Sequence, residues 1–218
     1  MNREMAKLMQ IEVCNTAKAM ADGGLVAGTW GNISARIDED YMVITPSGMD
    51  YSRLFPDQMV IVNMNTLEYE GNLKPSIEAV VHSAIYKARP EFNGIVHTHS
   101  NYALTVATAG KDIPPICDDQ VQILGGDVKL SEYTMPGTPE MAAAVVKAMH
   151  ERAGALIANH GAITAGRTLK EAFVATNVLE KTAMIYIMCQ SIGGPTIIPQ
   201  KDIDFFHDFF MNKYGQGK

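Results

Sequence analysis

The sequence predicts an α/β protein. Stretches with the periodicity of amphipathic helices alternate along the chain with short apolar segments typical of buried strands. Capping residues, glycine pairs and prolines mark where most of these segments begin or end. With 218 residues, 47% of them hydrophobic, the chain is long enough to bury a substantial core, and we expect residues 1–218 to form a single domain.

The predicted elements have recognisable boundaries. Helices are expected over residues 3–21, 77–88, 101–109, 139–152, 168–191 and from about 202, and strands over 41–45, 59–63, 94–99 and 155–158. Ser76 is the expected N-cap of the second helix, and Thr168 opens a capping box with Glu171. The phenylalanines expected to pack the last helix down are Phe205, Phe206, Phe209 and Phe210.

Composition and charge argue against several partners. A net charge of −6 and a pI near 5.5 do not suit binding to nucleic acid or to an anionic membrane, since both need a basic surface. The N-terminus has no apolar signal core, and no uninterrupted apolar run approaches the roughly 20 residues of a membrane span, so we expect a cytoplasmic protein. The three cysteines are far apart in sequence and form no C-x-x-C pattern, so a bound metal would need histidine and carboxylate ligands.

Two histidines follow the apolar run that ends at Val96. In an extended strand, residues two apart face the same side of the sheet with Cα atoms roughly 6.6 Å apart, so His97 and His99 can reach one metal ion. A pair of this kind is equally well interpreted as strand-end histidines that face solvent or bond within a loop. The remaining ligand types in the chain favour the metal interpretation.

His160 and Glu78 complete the candidate ligand set. His160 follows the predicted strand 155–158, the same local context as the first pair. Glu78 is expected in the first turn of a helix, where the helix dipole favours a carboxylate even without a function. Three histidines and one glutamate are the ligand types and number of a zinc site with nitrogen and oxygen donors. His82, four residues after Glu78, is interpreted as a core histidine or as a partner of Glu78.

Two glycine-containing turns are candidate anion sites. The segment GTWGNIS at residues 28–34 and the turn at residues 46–48 carry glycines and short polar side chains whose backbone N–H groups can surround an anion. Each turn alone is also consistent with an ordinary connection to a strand. Residues 117–120, which include Asp118, fit an exposed loop and an active-site lining equally well.

Taken in order, these motifs resemble the class II aldolase family that includes L-fuculose-1-phosphate aldolase and L-ribulose-5-phosphate 4-epimerase. The resemblance covers nearly the whole chain and is carried by GTWGNIS at 28, TPSG at 45, KPSIE at 74, HTHS at 97, NHG at 159 and a tyrosine near the C-terminus. It implies a three-layer α/β/α fold with a mixed, largely antiparallel sheet. It also implies a homotetramer with sites at subunit interfaces, in which Tyr214 shapes the aldehyde end of a neighbouring site.

The resemblance also implies roles for individual residues. One Zn²⁺ per chain, with Mn²⁺ or Co²⁺ as alternatives, would be held by His97, His99, His160 and Glu78, with Glu78 also the catalytic base. The phosphate of a sugar phosphate would lie against Gly31, Asn32, Ser47, Gly48 and Ser76. The expected reaction is the cleavage of a ketose 1-phosphate, such as L-fuculose 1-phosphate, to dihydroxyacetone phosphate and a small aldehyde.

Two positions depart from the aldolase pattern. Ile77 replaces a serine and so removes one hydroxyl from the expected phosphate site, and Asp118 stands where the fuculose-phosphate enzymes carry a tyrosine acid. An acidic residue in that region and the GTWGN motif resemble the epimerases, which makes the epimerase the alternative function. Against it, the epimerases have an aspartate at the Glu78 position. The adducin head domains, which are interaction modules, form a third class, but they lack the metal histidines that this chain retains.

Overall fold

The structure, a computed structural model, describes residues 1–216, so the last two residues of the predicted domain lie outside the described part. Helices and strands are interspersed along that part of the chain, which confirms the α/β class. They are α1 (Arg3–Asp22), β1 (Asn32–Arg36), β2 (Tyr41–Ile44), β3 (Val60–Asn63), α2 (Ala79–Ala88), β4 (Gly94–Thr98), α3 (Asn101–Thr108), α4 (Asp118–Leu124), α5 (Pro139–Met149), β5 (Gly154–Ile157), β6 (Gly161–Gly166), α6 (Leu169–Gln190) and α7 (Gln200–Asn212).

The strands form one six-stranded sheet in the order β3-β2-β1-β4-β6-β5. All neighbouring strands pair antiparallel. An isolated parallel bridge joins Leu130 to Leu156 beside the sheet. The two central strands, β1 and β4, place Asn32 opposite His97. This register brings the end of the GTWGN segment next to the first metal-ligand candidate.

Helices cover both faces of the sheet, which confirms the three-layer α/β/α arrangement. On one face, α2 and α5 pack with the sheet around a core that includes Ile44, Val81, Ile95 and Val145. On the other face, α1 lies over β1 and β2, and α6 lies over β4 and β6. Sheets and helices each have a hydrophobic surface to bury, and two helical layers bury both faces of this sheet.

Helix α6 is long and apolar enough to cross a membrane when length and composition alone are considered. Its buried side chains, Leu169, Ala172, Ala175, Leu179 and Ala183, pack in the cores that it forms with the sheet and α3. Helices at the core of a folded domain pass the same test, and the packing explains the apolar residues on the buried face of α6.

Helix α2 begins two residues later than predicted. Its first residue is Ala79, and Glu78 occupies the N-cap position with backbone φ −90° and ψ 11°. The Ser76 hydroxyl accepts a hydrogen bond from the Glu78 backbone N–H at 3.3 Å, so Ser76 stabilises the turn before the helix instead of capping it. As a consequence, the Glu78 carboxylate projects from a non-helical residue at the end of the sheet.

Two other segments differ from what the sequence indicates. Residues 117–120, which fit either an exposed loop or an active-site lining by sequence, form the N-cap and first turn of α4, where Gln120 accepts hydrogen bonds from the backbone N–H groups of Ile116 and Cys117. In α7, Phe206 and Phe210 are half-buried, whereas Phe205 is 64% exposed and Phe209 is 39% exposed. The expectation that all four phenylalanines pack against this chain was therefore wrong for two of them.

The N-terminus of α3, which comes directly after His99 and Ser100, is capped by a side chain from α6. The Glu180 carboxylate accepts hydrogen bonds from the Ser100 hydroxyl at 2.7 Å and from the backbone N–H groups of Tyr102 and Ala103, each at 2.9 Å. Ser100 itself makes no capping bond to α3. Glu180 thus satisfies donors that a helix N-terminus leaves unpaired.

We expect Glu180→Ala to lower the free energy of unfolding by about 2 kcal/mol, because several N–H and O–H donors lose a charged acceptor. Urea unfolding monitored by circular dichroism measures the effect. Lys170→Ala, an exposed change on the same helix, is the control and should stay within about 0.5 kcal/mol of wild type. Equal effects of the two variants would contradict the capping role.

Candidate metal centre and adjoining cavity

The predicted metal ligands meet at one end of the sheet. Strand β4 carries His97, and His99 follows directly after its last residue. The turn between β5 and β6 carries His160, and Glu78 precedes α2. In that turn, a Cβ atom on Gly161 would lie 2.1 Å from the Thr98 carbonyl oxygen, so only glycine allows β6 to approach β4 this closely.

The side chains converge as the sequence predicted. The Nε2 atoms of His97 and His99 are 3.1 Å apart. Glu78 places Oε2 3.3 Å from His97 Nε2 and Oε1 3.2 Å from His160 Nε2. The candidate ligand atoms of the three histidines all lie within 4.8 Å of one another.

These distances fit a tetrahedral metal site. Ligand atoms about 2.05 Å from a zinc ion, at tetrahedral angles, are separated from one another by about 3.3 Å. His97 is already oriented for this role, because its Nδ1 donates to the Ala162 carbonyl oxygen at 2.9 Å and its Nε2 faces the cluster. The three histidines therefore fit a divalent ion with nitrogen donors, and Glu78, whose two oxygens contact His97 and His160, is the candidate oxygen donor.

The electrostatics of the cluster also suit a metal. Burial lowers the pKa of His97, and burial together with the neighbouring His97 and His160 lowers the pKa of His99 to about 3. Both rings are therefore neutral at pH 7, the form that binds metals. Burial opposes ionisation of Glu78, but the contact with His160 and the hydrogen bond from Asn32 outweigh it and hold the pKa of this carboxyl below its usual range. Glu78 supplies a buried anion.

A cavity of about 420 Å³ opens beside the cluster. All five residues expected to bind phosphate line it: Gly31, Asn32, Ser47, Gly48 and Ser76. Gly31 has φ +82°, and a Cβ atom there would lie 2.7 Å from the His97 carbonyl oxygen, so the turn requires glycine. The Tyr51 hydroxyl donates to the Gly31 carbonyl and fixes the turn. The cavity thus combines an anion-binding type of turn with the metal centre.

Other residues of the cavity were not identified from the sequence. Trp30 stacks on His99, with ring centroids 5.8 Å apart, and its position inside GTWGN was the available signal. Tyr133, Thr134 and Pro136 lie on the segment between α4 and α5 and also line the cavity. That segment has no sequence pattern that indicates a site, because its path is set by tertiary contacts.

Two candidate catalytic residues lie elsewhere in this chain. Asp118 is the first residue of α4, and Tyr214 follows α7 with its ring stacked on Phe210 at 5.5 Å. Neither lines the cavity within one chain. Their expected roles, including that of Tyr214 in a neighbouring site, stay predictions.

The chain belongs to the class II aldolase and adducin N-terminal domain family, whose sequence model matches residues 11–187. It is 36% identical to 5-deoxy-D-ribulose 1-phosphate aldolase from Bacillus thuringiensis, over 94% of this chain and 96% of that protein. It is 32% identical to L-ribulose-5-phosphate 4-epimerase from Salmonella paratyphi B, over 97% of this chain and 96% of the relative. A solved structure of L-fuculose 1-phosphate aldolase superposes with a TM-score of 0.89 and 30% identity, over 93% of this chain and 96% of that one.

We expect purified wild-type protein to bind about one zinc ion per chain, measured by elemental analysis and chelator competition. His160→Gln should weaken zinc binding by more than the roughly 10–100-fold seen when a residue that only supports a ligand is lost. His150→Asn, a change at an exposed histidine outside the cluster, is the control and should bind zinc as wild type does. Unchanged affinity in His160→Gln would remove His160 from the ligand set.

Proposed function

We propose that this protein is a divalent-metal-dependent aldolase that cleaves a ketose 1-phosphate to dihydroxyacetone phosphate and a small aldehyde. The observation that carries the proposal is the position of Glu78. This carboxylate is 5% exposed and contacts His97 and His160 at the edge of a cavity whose other polar groups suit a phosphate. The same side chain can therefore hold a metal and move a proton at the substrate.

The proposed substrate is a 5-deoxypentulose 1-phosphate, with L-fuculose 1-phosphate as the second candidate. The relative with 36% identity is named for the first compound, and the solved structure with a TM-score of 0.89 for the second. The side chains of Trp30, Ile77 and Tyr133 give the cavity an apolar rim. A deoxy end of the substrate needs no hydrogen-bond partner from such a rim.

The residues of the site have distinct roles in this proposal. The phosphate is held by Ser47, Ser76 and the N–H groups of the glycine turns. A bound divalent ion supplies the Lewis acid that stabilises negative charge on the substrate carbonyl oxygen during cleavage. As the C3–C4 bond breaks, the hydroxyl proton at C4 leaves and its electrons form the carbonyl of the aldehyde. The electron pair of the broken C3–C4 bond stays on C3, and Glu78 passes to this carbon a proton taken up from water, so that C3 becomes the hydroxymethyl carbon of dihydroxyacetone phosphate.

Asp118 and Tyr214 are our candidates for accepting the C4 hydroxyl proton. Because neither lines the cavity of its own chain, this role requires a neighbouring subunit to supply them. We propose a homotetramer for that reason and from the family resemblance.

The alternative function is L-ribulose-5-phosphate 4-epimerase, which the 32% identical relative and the acidic Asp118 favour. An epimerase that works by retro-aldol cleavage rejoins its fragments and needs no proton at the nucleophilic carbon. Glu78 is placed to supply that proton, which favours the aldolase.

We expect the wild-type protein to exchange solvent deuterium into the C3 position of dihydroxyacetone phosphate, and NMR measures the rate of this exchange. Glu78→Gln should slow the exchange by on the order of 10²–10⁴, the usual effect of losing a general base. The protein would be an epimerase if it showed no exchange yet interconverted L-ribulose 5-phosphate and D-xylulose 5-phosphate.

A second kinetic prediction tests the phosphate site. Ser76→Ala should raise the KM of a ketose 1-phosphate by roughly tenfold, because a hydrogen bond to a charged group is lost. Ile77→Ser, which restores a hydroxyl at a 67% exposed position, should lower that KM. Neither change should move the KM of the unphosphorylated ketose by as much. Equal effects on both substrates would place the phosphate elsewhere.

A further inference from the structure

A buried line of polar side chains runs from the metal centre between α2 and the sheet. On the helix side, Glu78, His82 and Tyr86 are spaced four residues apart and share one face. On the strand side, Asn32 and Ser34 are two residues apart in β1 and face the helix. His82 and Ser34 are fully buried, and neither lines the cavity.

The two sides are joined by consecutive hydrogen bonds. Asn32 Nδ2 donates to Glu78 Oε2 at 3.0 Å, and Asn32 Oδ1 is 2.6 Å from His82 Nε2. His82 Nδ1 is 2.6 Å from Ser34 Oγ, which is 2.9 Å from the Tyr86 hydroxyl. Every buried polar side-chain atom in the described part of the chain has a hydrogen-bond partner, those of the line included.

The carboxylate determines the direction of every hydrogen bond in the line. An ionised carboxylate only accepts, so Asn32 must turn its NH₂ group to Glu78 and its carbonyl oxygen to His82. His82 must then carry its proton on Nε2, which leaves Nδ1 to accept from the Ser34 hydroxyl. Ser34 Oγ in turn accepts from Tyr86. All donors therefore point toward Glu78.

The protonation states of His82 and Tyr86 agree with this direction. Burial lowers the pKa of His82 to about 3, so the ring is neutral and has one donor and one acceptor. Burial raises the pKa of the Tyr86 hydroxyl, which keeps its proton available to donate. Arg36 fixes Tyr86 further, because its Nη2 donates to the Tyr86 carbonyl at 2.7 Å and its guanidinium lies 4.7 Å from the centre of the Tyr86 ring.

We infer that His82, Ser34 and Tyr86 are positioning residues, which act through Asn32 to hold Glu78 with one carboxylate oxygen at His97 and the other at His160. The inference deepens the proposed function and rests on its metal centre. It gives the Asn32 side chain a role besides phosphate binding. Without the line, the Asn32 amide can rotate and present its oxygen to Glu78, which repels the carboxylate from the position it needs.

Two substitutions of His82 separate positioning from packing. In His82→Gln the amide nitrogen approximates the position of Nε2 and can still donate to Asn32, whereas in His82→Asn the shorter side chain reaches only the position of Nδ1. Both variants have similar polarity and remove the ring. Zinc affinity, measured by chelator competition on the folded variants, is the primary measurement because it requires no substrate.

We expect His82→Asn to weaken zinc binding by about 10–100-fold and His82→Gln by less than about threefold, since residues that support metal ligands have effects of this size. The kcat of deuterium exchange into dihydroxyacetone phosphate should fall more in His82→Asn than in His82→Gln, and the KM should be unchanged in both variants. Ser34→Ala removes the hydroxyl that donates to His82 Nδ1, so the His82 ring can also carry its proton there. This variant should weaken zinc binding by about tenfold, and it tests the inference if His82→Asn does not fold.

Equal zinc affinities in His82→Asn and His82→Gln would overturn the inference, as would a zinc affinity in Ser34→Ala equal to that of wild type. A rise in KM without a fall in kcat would also overturn it, because the line would then act on the phosphate site. The two His82 variants could differ in zinc affinity as expected while the wild-type protein exchanges no deuterium. That outcome would support the inference and refute the proposed aldolase.

Discussion

The site depends on the burial of one ionised carboxylate. Taking a carboxylate out of water costs several kcal/mol unless charged or hydrogen-bonded partners compensate. Glu78 is compensated by the hydrogen bond from Asn32 at one oxygen and by His160 at the other, and His97 Nε2 lies 3.3 Å from the first oxygen, placed to share a metal ion. These partners come from β4, β1 and the β5–β6 turn, so the carboxylate ties together all the elements that form this end of the sheet.

That convergence requires backbones to approach closely, and two glycines allow it. Gly161 brings the start of β6 against the Thr98 carbonyl, and Gly31 brings the turn before β1 against the His97 carbonyl. A side chain at Gly161 would push β6 and the adjoining turn with His160 away from β4, and one at Gly31 would push the turn before β1 away from His97. The glycines thus support the candidate metal centre through the spacing they permit.

Much of the site was predictable because its ligands obey short-range rules. Strand alternation placed His97 and His99 on one side, and the matching context of His160 indicated the same end of the sheet. The resemblance supplied the layer order. The sequence did not indicate that Tyr133 lines the cavity or that Phe205 is exposed, because both depend on tertiary contacts outside regular patterns. The four-residue spacing of Glu78, His82 and Tyr86 was visible, but only the register of β1 shows which side chains meet it.

The length of the Glu78 side chain decides what this arrangement can do. The residue sits at the N-cap of α2, where the backbone is held by the hydrogen bond from its N–H to Ser76. From there, the carboxylate spans from His97 to His160 and still accepts from Asn32. An aspartate is shorter by one carbon–carbon bond and, from the same backbone position, would have to give up at least one of these contacts. The extra methylene therefore lets a single carboxylate reach the candidate metal centre and still face the cavity, which is the geometry that the proposed proton transfer needs.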